Sequence, residues 1–311
     1  FDSGSLQYLL CRVLRLFFGT LTIISGQPGS GKSSLLAQLI CNAVDNDIPT
    51  WLFSGELPNG VEKSWLNYIF AGKRNLEKAV SRRGNEYWKI PTAARVQMNI
   101  AYKNKWYIYR DDHDNDLDAL ISSMTDVVRK YGVRCLILDN FMCIDTDMEA
   151  ELRAQTATVK RLIEFAKKYQ AAVILVCHPR KMDSTANVGI YDIAGSSNIV
   201  NLAHRTIGLR RVTQDERDSK GRLSPRKKEL MKYDVIATVI KDRMFGRSNI
   251  DKGIYYDPES RRFFTDAEEY GRQFSWDTKN YTEPLPLPPQ LEAENEEDEV
   301  FGTVETDGDD V

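Results

Sequence analysis

The octapeptide GQPGSGKS, residues 26–33, limits what this chain can fold into more than any other stretch. An apolar run, GTLTIIS (19–25), precedes it, and SSLLAQLICNAV follows with apolar residues at helical i, i+3, i+4 spacing. Strand, glycine loop and helix in that order make an anion cradle. Gly26, Gly29 and Gly31 let the backbone wrap closely, and amide N–H groups at the helix N-terminus point inward. Gln27, Pro28, Ser30 and Ser34 complete the expected nucleotide-binding loop. Lys32 is placed to reach β- and γ-phosphates, and the Ser33 hydroxyl to hold Mg²⁺. The expected ligands are therefore ATP, or another nucleoside triphosphate, and Mg²⁺.

Further apolar runs read as strands: PTWLFS (49–54), KWYIYR (105–110), VRCLILD (133–139) and AAVILVCH (171–178). Between them, LDALISSMTDVVRKY and ELRAQTATVKRLIEFAKKY have helical periodicity. Continuously apolar strands alternating with helices predict an α/β fold with a mostly parallel sheet covered on both faces. Residues 59–104 read as a polar, helical insertion between two core strands. After residue 203, HRTIGLRRV and YDVIATVIKDR follow one another without a helix, which predicts antiparallel strands at the C-terminal sheet edge. GIYYDPESRRFF predicts a last hairpin, turning at Asp-Pro-Glu-Ser. The expected organisation is an entry segment (1–18), one α/β domain (19–265), then a Pro-rich spacer and a disordered acidic tail (266–311).

Composition narrows the class. A hydrophobic fraction of 42% is ample for a core, and a net charge of −3 supplies no global basic field. No Lys or Arg follows Lys279, whereas acids crowd the end of the chain. Cys11, Cys41, Cys135, Cys143 and Cys177 lack metal-ligand spacing and the 3 histidines are dispersed, so no zinc site is expected. A reducing, intracellular compartment is expected instead. No apolar run reaches the ~18 residues of a membrane helix, and no signal peptide is read. A start at Phe1 rather than Met is what a fragment of a longer protein would show.

Several polar residues stand at strand ends, where ligands bind in such sheets. Asp139, closing CLILD, is the natural acid to contact Mg²⁺ directly or through water, alongside Ser33. Glu56, in WLFSGE, fits either a solvated strand-end acid or a base that orients and deprotonates water. His178, in ILVCHPRK, fits either a satisfied strand-end histidine or a donor to a γ-phosphate. In VIATVIKDRMFG, Lys241 and Arg243 share one strand face, either as solvated trim or as cations awaiting an anion.

Taken together these motifs resemble the RecA-like replicative helicases of the DnaB-type superfamily, on the side of the phage primase–helicases and Twinkle. The resemblance lies in GQPGSGKS, WLFSGE, CLILDN, VCHPRK, DIAGSSNI and KDRMFG, in that order over about residues 19–264. His178 points to the phage and Twinkle branches, because DnaB usually carries Gln there. The resemblance implies a RecA-like P-loop core in which Glu56 is the catalytic base and His178 senses the γ-phosphate. It implies that Lys241 and Arg243 enter the neighbouring subunit's ATP site, with Lys32 on the phosphates. It further implies a homo-hexameric ring with ATP between subunits and single-stranded or forked DNA through the centre. His204 departs from the pattern, since many relatives carry an acid there, and the long connection at 210–234 departs as well.

On that reading Arg180 and Lys181, with the small residues Gly195 and Ser196, would grip single-stranded DNA in the loop after His178. Ser196 and Asn198 fit equally well as braces for the following helix. The cation-rich 217–232 segment fits a DNA contact or a solvated hairpin. The acidic tail, with Phe301 as its bulky aromatic, fits docking of a replication partner such as a polymerase, or a solubilising role. Two other classes remain at this stage, a RecA/RadA-type recombinase filament and a KaiC-like regulatory ATPase. Expected localisation is a bacterial or phage-infected cytoplasm, with the mitochondrial matrix or nucleoid as the alternative.

Overall fold

In the computed structural model, residues 5–10, 14–144, 151–180, 189, 192–193, 197–218, 224–283, 285–289 and 291 are described. A short antiparallel pair, β1 (Ser5–Leu10) and β2 (Leu14–Phe17), stands apart from the main sheet. The core then alternates β3 (Leu21–Gly26), α1 (Lys32–Asp45), β4 (Thr50–Ser54) and α2 (Asn59–Ala71). A small hairpin, β5 (Glu77–Val80) and β6 (Glu86–Lys89), precedes α3 (Thr92–Ala101), β7 (Trp106–Ile108) and α4 (Leu117–Tyr131). Next come β8 (Cys135–Asp139), α5 (Glu151–Tyr169), β9 (Ala172–Cys177), α6 (Ser197–Leu202) and β10 (Arg205–Arg211). The last elements are α7 (Gln214–Arg217), α8 (Pro225–Leu230), β11 (Val235–Asp242), β12 (Ile250–Asp257), β13 (Arg262–Phe264) and α9 (Ala267–Tyr270).

The main sheet has nine strands in the order β13-β12-β11-β10-β3-β9-β8-β4-β7. From β10 to β7 all neighbours run parallel, and β11, β12 and β13 add antiparallel at one edge. The expected class is therefore observed. Strand alternation explains why the central runs are apolar throughout. Ile137 and Ile174 face one core with α1, while Leu136, Leu138 and Leu175 face a second core with α4 and α5. Helix boundaries follow local chemistry. Asp116 Oδ1 accepts from Asp118 N and Ala119 N, both at 2.9 Å, to start α4, and Gly132 (φ 65°) ends it. Among the described residues no helix is long and apolar enough to cross a membrane.

Two expectations need correction, and one of the two open readings of 217–232 falls. Residues 59–104 are not wholly helical, because β5 and β6 pair between the helices. Their side chains are largely exposed and carry cross-strand Lys78–Glu86 and Lys89–Glu77 pairs, so no apolar alternation marked them. The described part of 217–232 is not a hairpin. Thr213 and Glu216 form a reciprocal capping box on α7, and Ser224 with Pro225 starts α8.

Third, the described part of the chain after residue 265, up to Leu291, is docked rather than a free spacer. Trp276 is 5% exposed and donates from Nε1 to Phe70 O at 2.8 Å. Asn75 Nδ2 donates to Asp277 Oδ2 at 2.6 Å, and Leu285, Leu287 and Leu291 pack around Tyr255, Phe264 and Tyr270. Beneath this strap, Arg262 is buried and donates from Nε to Ile69 O at 2.8 Å and from Nη1 to Arg272 O at 2.6 Å. Phe301 and the rest of the acidic tail lie outside the described residues. Trp276→Ala is expected to destabilise the fold by about 3–5 kcal/mol. Urea unfolding measures this, and a loss under about 1 kcal/mol would make the strap peripheral.

Candidate nucleotide site

The phosphate loop leaves the end of β3, and α1 starts at Lys32 with Gly31 at φ 91°. A Cβ on Gly31 would meet Phe263 Cζ at 2.9 Å, so the loop needs glycine both for its conformation and for the hairpin beneath it. Gln38 of α1 fixes that hairpin like a strand neighbour: Nε2 donates to Phe263 O at 2.8 Å, and Oε1 accepts from Phe263 N at 2.6 Å. Lys32 is buried and folds back, donating to Gly26 O at 2.7 Å and Gln27 O at 3.0 Å. Burial lowers its pKa, with Asp139 and Glu56 opposing that shift.

Parallel pairing sets Ser54 of β4 beside Asp139 of β8, so both strand ends open at the same level as the loop. Ser33 Oγ donates to Asp139 Oδ2 at 3.2 Å. Asp139 is 2% exposed, and its Oδ1 is buried with no hydrogen-bond partner. A hydroxyl and a carboxylate with an unused oxygen, beside a phosphate cradle, fit Mg²⁺. Burial, and next the charge of Glu56, push the Asp139 carboxyl up to about 6, against opposing effects from Ser33, Lys32 and His178.

Glu56 and His178 also come together here. His178 Nε2 lies 2.7 Å from Glu56 Oε1, and Asn140 Nδ2 hydrogen-bonds Glu56 Oε1 and sits 2.8 Å from His178 Nε2. Gly55 permits the close approach of β4 and the turn after β8, since a Cβ there would collide with Cys143 Cβ. Buried nearby, Glu62 accepts from Ser54 Oγ at 3.1 Å, and burial pushes its carboxyl up to about 7.

A cavity of about 730 Å³ runs from the loop past Glu56 and His178 to Trp65, Arg211, Asp234, Tyr256 and Pro258. That volume accommodates a nucleotide, with Tyr256 and Pro258 as an apolar wall. Sequence reasoning assigned no role to Asn140, Trp65, Arg211 or Tyr256. Asn140 was visible inside CLILDN, whereas Trp65 belongs to the insertion, Arg211 to the end of β10 beside β3, and Tyr256 to β12 toward the sheet edge.

Lys241 and Arg243 are not in this cavity. Lys241 lies opposite Thr206, which pairs with Ile23, so it sits at the amino end of the parallel strands, whereas the loop follows Gly26 at the carboxyl end. About three strand residues, ~10 Å, and the loop itself separate them. Lys241 Nζ donates to Val200 O and Asn201 O, both at 2.8 Å, and Arg243 donates to Asn201 O. Burial and the charge of Arg243 lower Lys241 to about 8. His204 sits beside them as a neutral acceptor: Leu21 N donates to its Nδ1 at 3.1 Å, and burial lowers its pKa. Arg180 is exposed just past His178, and its N–H donates to Asp192 O at 2.5 Å. Lys181, Gly195 and Ser196 lie outside the described residues.

The buried Asp139 has a stability consequence in the nucleotide-free protein. Its folded pKa exceeds the ordinary 3.8, so the native state binds the proton more tightly and stability falls as pH rises through about 4–6. Asp139→Asn should therefore raise the unfolding free energy at pH 7.5 by about 1–3 kcal/mol. The difference should close below pH ~4, where wild type is also neutral. Denaturant titrations at the two pH values check this.

Comparison with known proteins agrees with this fold. A family model described as an AAA domain matches residues 15–184. The Twinkle homolog protein, chloroplastic/mitochondrial, of Arabidopsis thaliana is 24% identical over 210 residues, 62% of this chain but 28% of its own length. One solved structure, itself an isolated ATPase domain, superposes with a TM-score of 0.61 at 16% identity, covering 79% of this chain and 84% of that one. A DnaB-like replicative helicase, solved in a study of its interactions with primase, gives a TM-score of 0.60 at 15% identity, covering 80% and 58%. The likeness to DnaB-type helicases stated from the motifs is thus met in relative and fold alike. By its matched sequence the chain belongs to the AAA domain family, carried on the fold of the DnaB-type helicase ATPase domains.

Proposed function

We propose that the chain is the motor domain of a replicative DNA helicase, hydrolysing ATP at the interfaces of a hexameric ring that moves on single-stranded DNA. The observation that supports this most is the separation of parts. The phosphate loop, Ser33, Asp139, Glu56 and His178 converge at one end of the sheet, while Lys241 and Arg243 stand at the other. A site that stabilises the charge developing on a γ-phosphate takes cations beyond Lys32 and the Arg211 that lines the cavity, and Lys241 and Arg243, turned away from their own phosphate loop, would serve a neighbour's phosphate.

In the reaction, Glu56 holds the attacking water and takes its proton as the new oxygen–phosphorus bond forms. The bond from the γ-phosphorus to the bridging oxygen breaks, leaving ADP and phosphate. Lys32 exchanges its loop carbonyls for phosphate oxygens, and His178 turns from Glu56 to the γ-phosphate. Mg²⁺ on Ser33 and Asp139 would neutralise charge shared by the β- and γ-oxygens. Because Arg180 follows His178 after a single proline, nucleotide state at His178 is passed to the DNA loop, in which Lys181, Gly195 and Ser196 are also assigned. An intracellular site of action follows from this reading, as does docking of a replication partner by the acidic tail.

ATPase rate with and without single-stranded DNA, then unwinding of a forked duplex, tests the reading. DNA stimulation is expected, and its absence would remove DNA as the track. Arg243→Ala and Lys32→Ala should each lower hydrolysis by about 10³-fold or more. Mixed under subunit exchange they should recover part of the wild-type rate, because some interfaces regain an intact loop and an intact arginine. A mixture no better than either variant would rule out action between subunits.

A further inference from the structure

Asn140 is 2% exposed and directly follows the Mg²⁺ acid, yet no part of the mechanism above uses it. Its Oδ1 accepts from Met142 N at 2.7 Å, which settles which end of the carboxamide is which. Nδ2 therefore faces Glu56 Oε1 and His178 Nε2 together, while those two atoms lie 2.7 Å from each other.

Hydrogens can be arranged among these three atoms in two ways. With a proton on Nε2, His178 donates to Glu56, which also accepts from Asn140. With Nε2 bare, the imidazole accepts from Asn140, and Glu56 Oε1 faces a lone pair. Neutral imidazole permits both patterns, because only one of its nitrogens carries hydrogen. The carboxamide is held by the backbone and cannot follow either partner, so it is the fixed point about which they exchange.

We propose that Asn140 is a positioning residue for hydrolysis: it holds Glu56 in place and ties its state to that of His178. When the Nε2–H of His178 is drawn to a γ-phosphate, Glu56 loses one of its two donors and keeps Asn140. The carboxylate is then free to take a water without leaving its position. This inference rests on the hydrolysis reading above.

The simpler role for Asn140 is to cap the turn Phe141–Cys143 through its Oδ1. Asn140→Asp separates the two roles, because it keeps an acceptor for Met142 N–H and removes the donor to Glu56 and His178. Steady-state hydrolysis by the full chain, with binding of a non-hydrolysable ATP analogue, is measured for wild type, Asn140→Asp, Asn140→Ala, Glu56→Gln and Glu56→Gln/Asn140→Ala. Both Asn140 variants should lower kcat by about 10²-fold, the usual effect of a reacting group displaced by ~1 Å. Analogue affinity should stay within about 3-fold, and Asn140→Ala should add little in the Glu56→Gln background, as expected of groups acting as a unit. A wild-type kcat in Asn140→Asp would overturn the proposal alone, and so would loss of analogue binding in step with kcat. A full rate in Glu56→Gln, or no hydrolysis by wild type, would overturn the hydrolysis reading and this inference with it.

Discussion

The register between β4 and β8 is the constraint on which the site depends. Pairing of Ser54 with Asp139 brings Gly55 N to Asp139 O at 2.5 Å, and so sets Glu56 against Asn140 rather than against the core. Side chains alternate faces along a strand, so a slip of one residue would turn Asp139 into an apolar layer and Leu138 toward the phosphate. The register is held by what lies below it. Trp51 and Phe53 fill one core, and Leu52 fills the other. Burial on both faces therefore orders the chemistry at the strand ends.

That order has an energetic cost at the same place. Asp139, Glu62 and Lys32 are all buried, and in each the largest influence on protonation is loss of water. Two carboxyls raised toward neutrality beside a lowered ammonium are poorly paired with one another. Such a cluster suits a ligand that brings strong charge of both signs, a polyphosphate with its cation, and ligand binding then adds to stability by mass action. The apolar cores can carry this deficit because the central strands are buried almost completely.

Much of this was legible in the sequence, for reasons that differ by element. The central strands announced themselves because burial on both faces leaves uninterrupted apolar runs, and GQPGSGKS because a phosphate cradle tolerates few alternatives. Asp139 was legible from its position at a strand end, whereas Glu56 and His178 stayed ambiguous by position and were singled out only by the family resemblance; the fold brings all three together. Asn140 was overlooked because an amide after a strand end looks like any turn residue until its partners are known. β5 and β6 were missed since exposed strands paired by charge lack apolar alternation. The strap was misread because Pro and acidic residues outweighed Phe274, Trp276 and Leu291, whose burial depends on a surface far away in sequence.

The hairpin beneath the phosphate loop bears on how the polypeptide comes into being. Gln38 and Phe263 are 225 positions apart, yet they exchange two hydrogen bonds under the loop that Gly31 completes. A chain emerging from the ribosome would hold its glycine loop and first helix long before the residues that support them existed. Contacts of such long range form slowly and late. The phosphate loop is thus encoded long before the residues that complete its support.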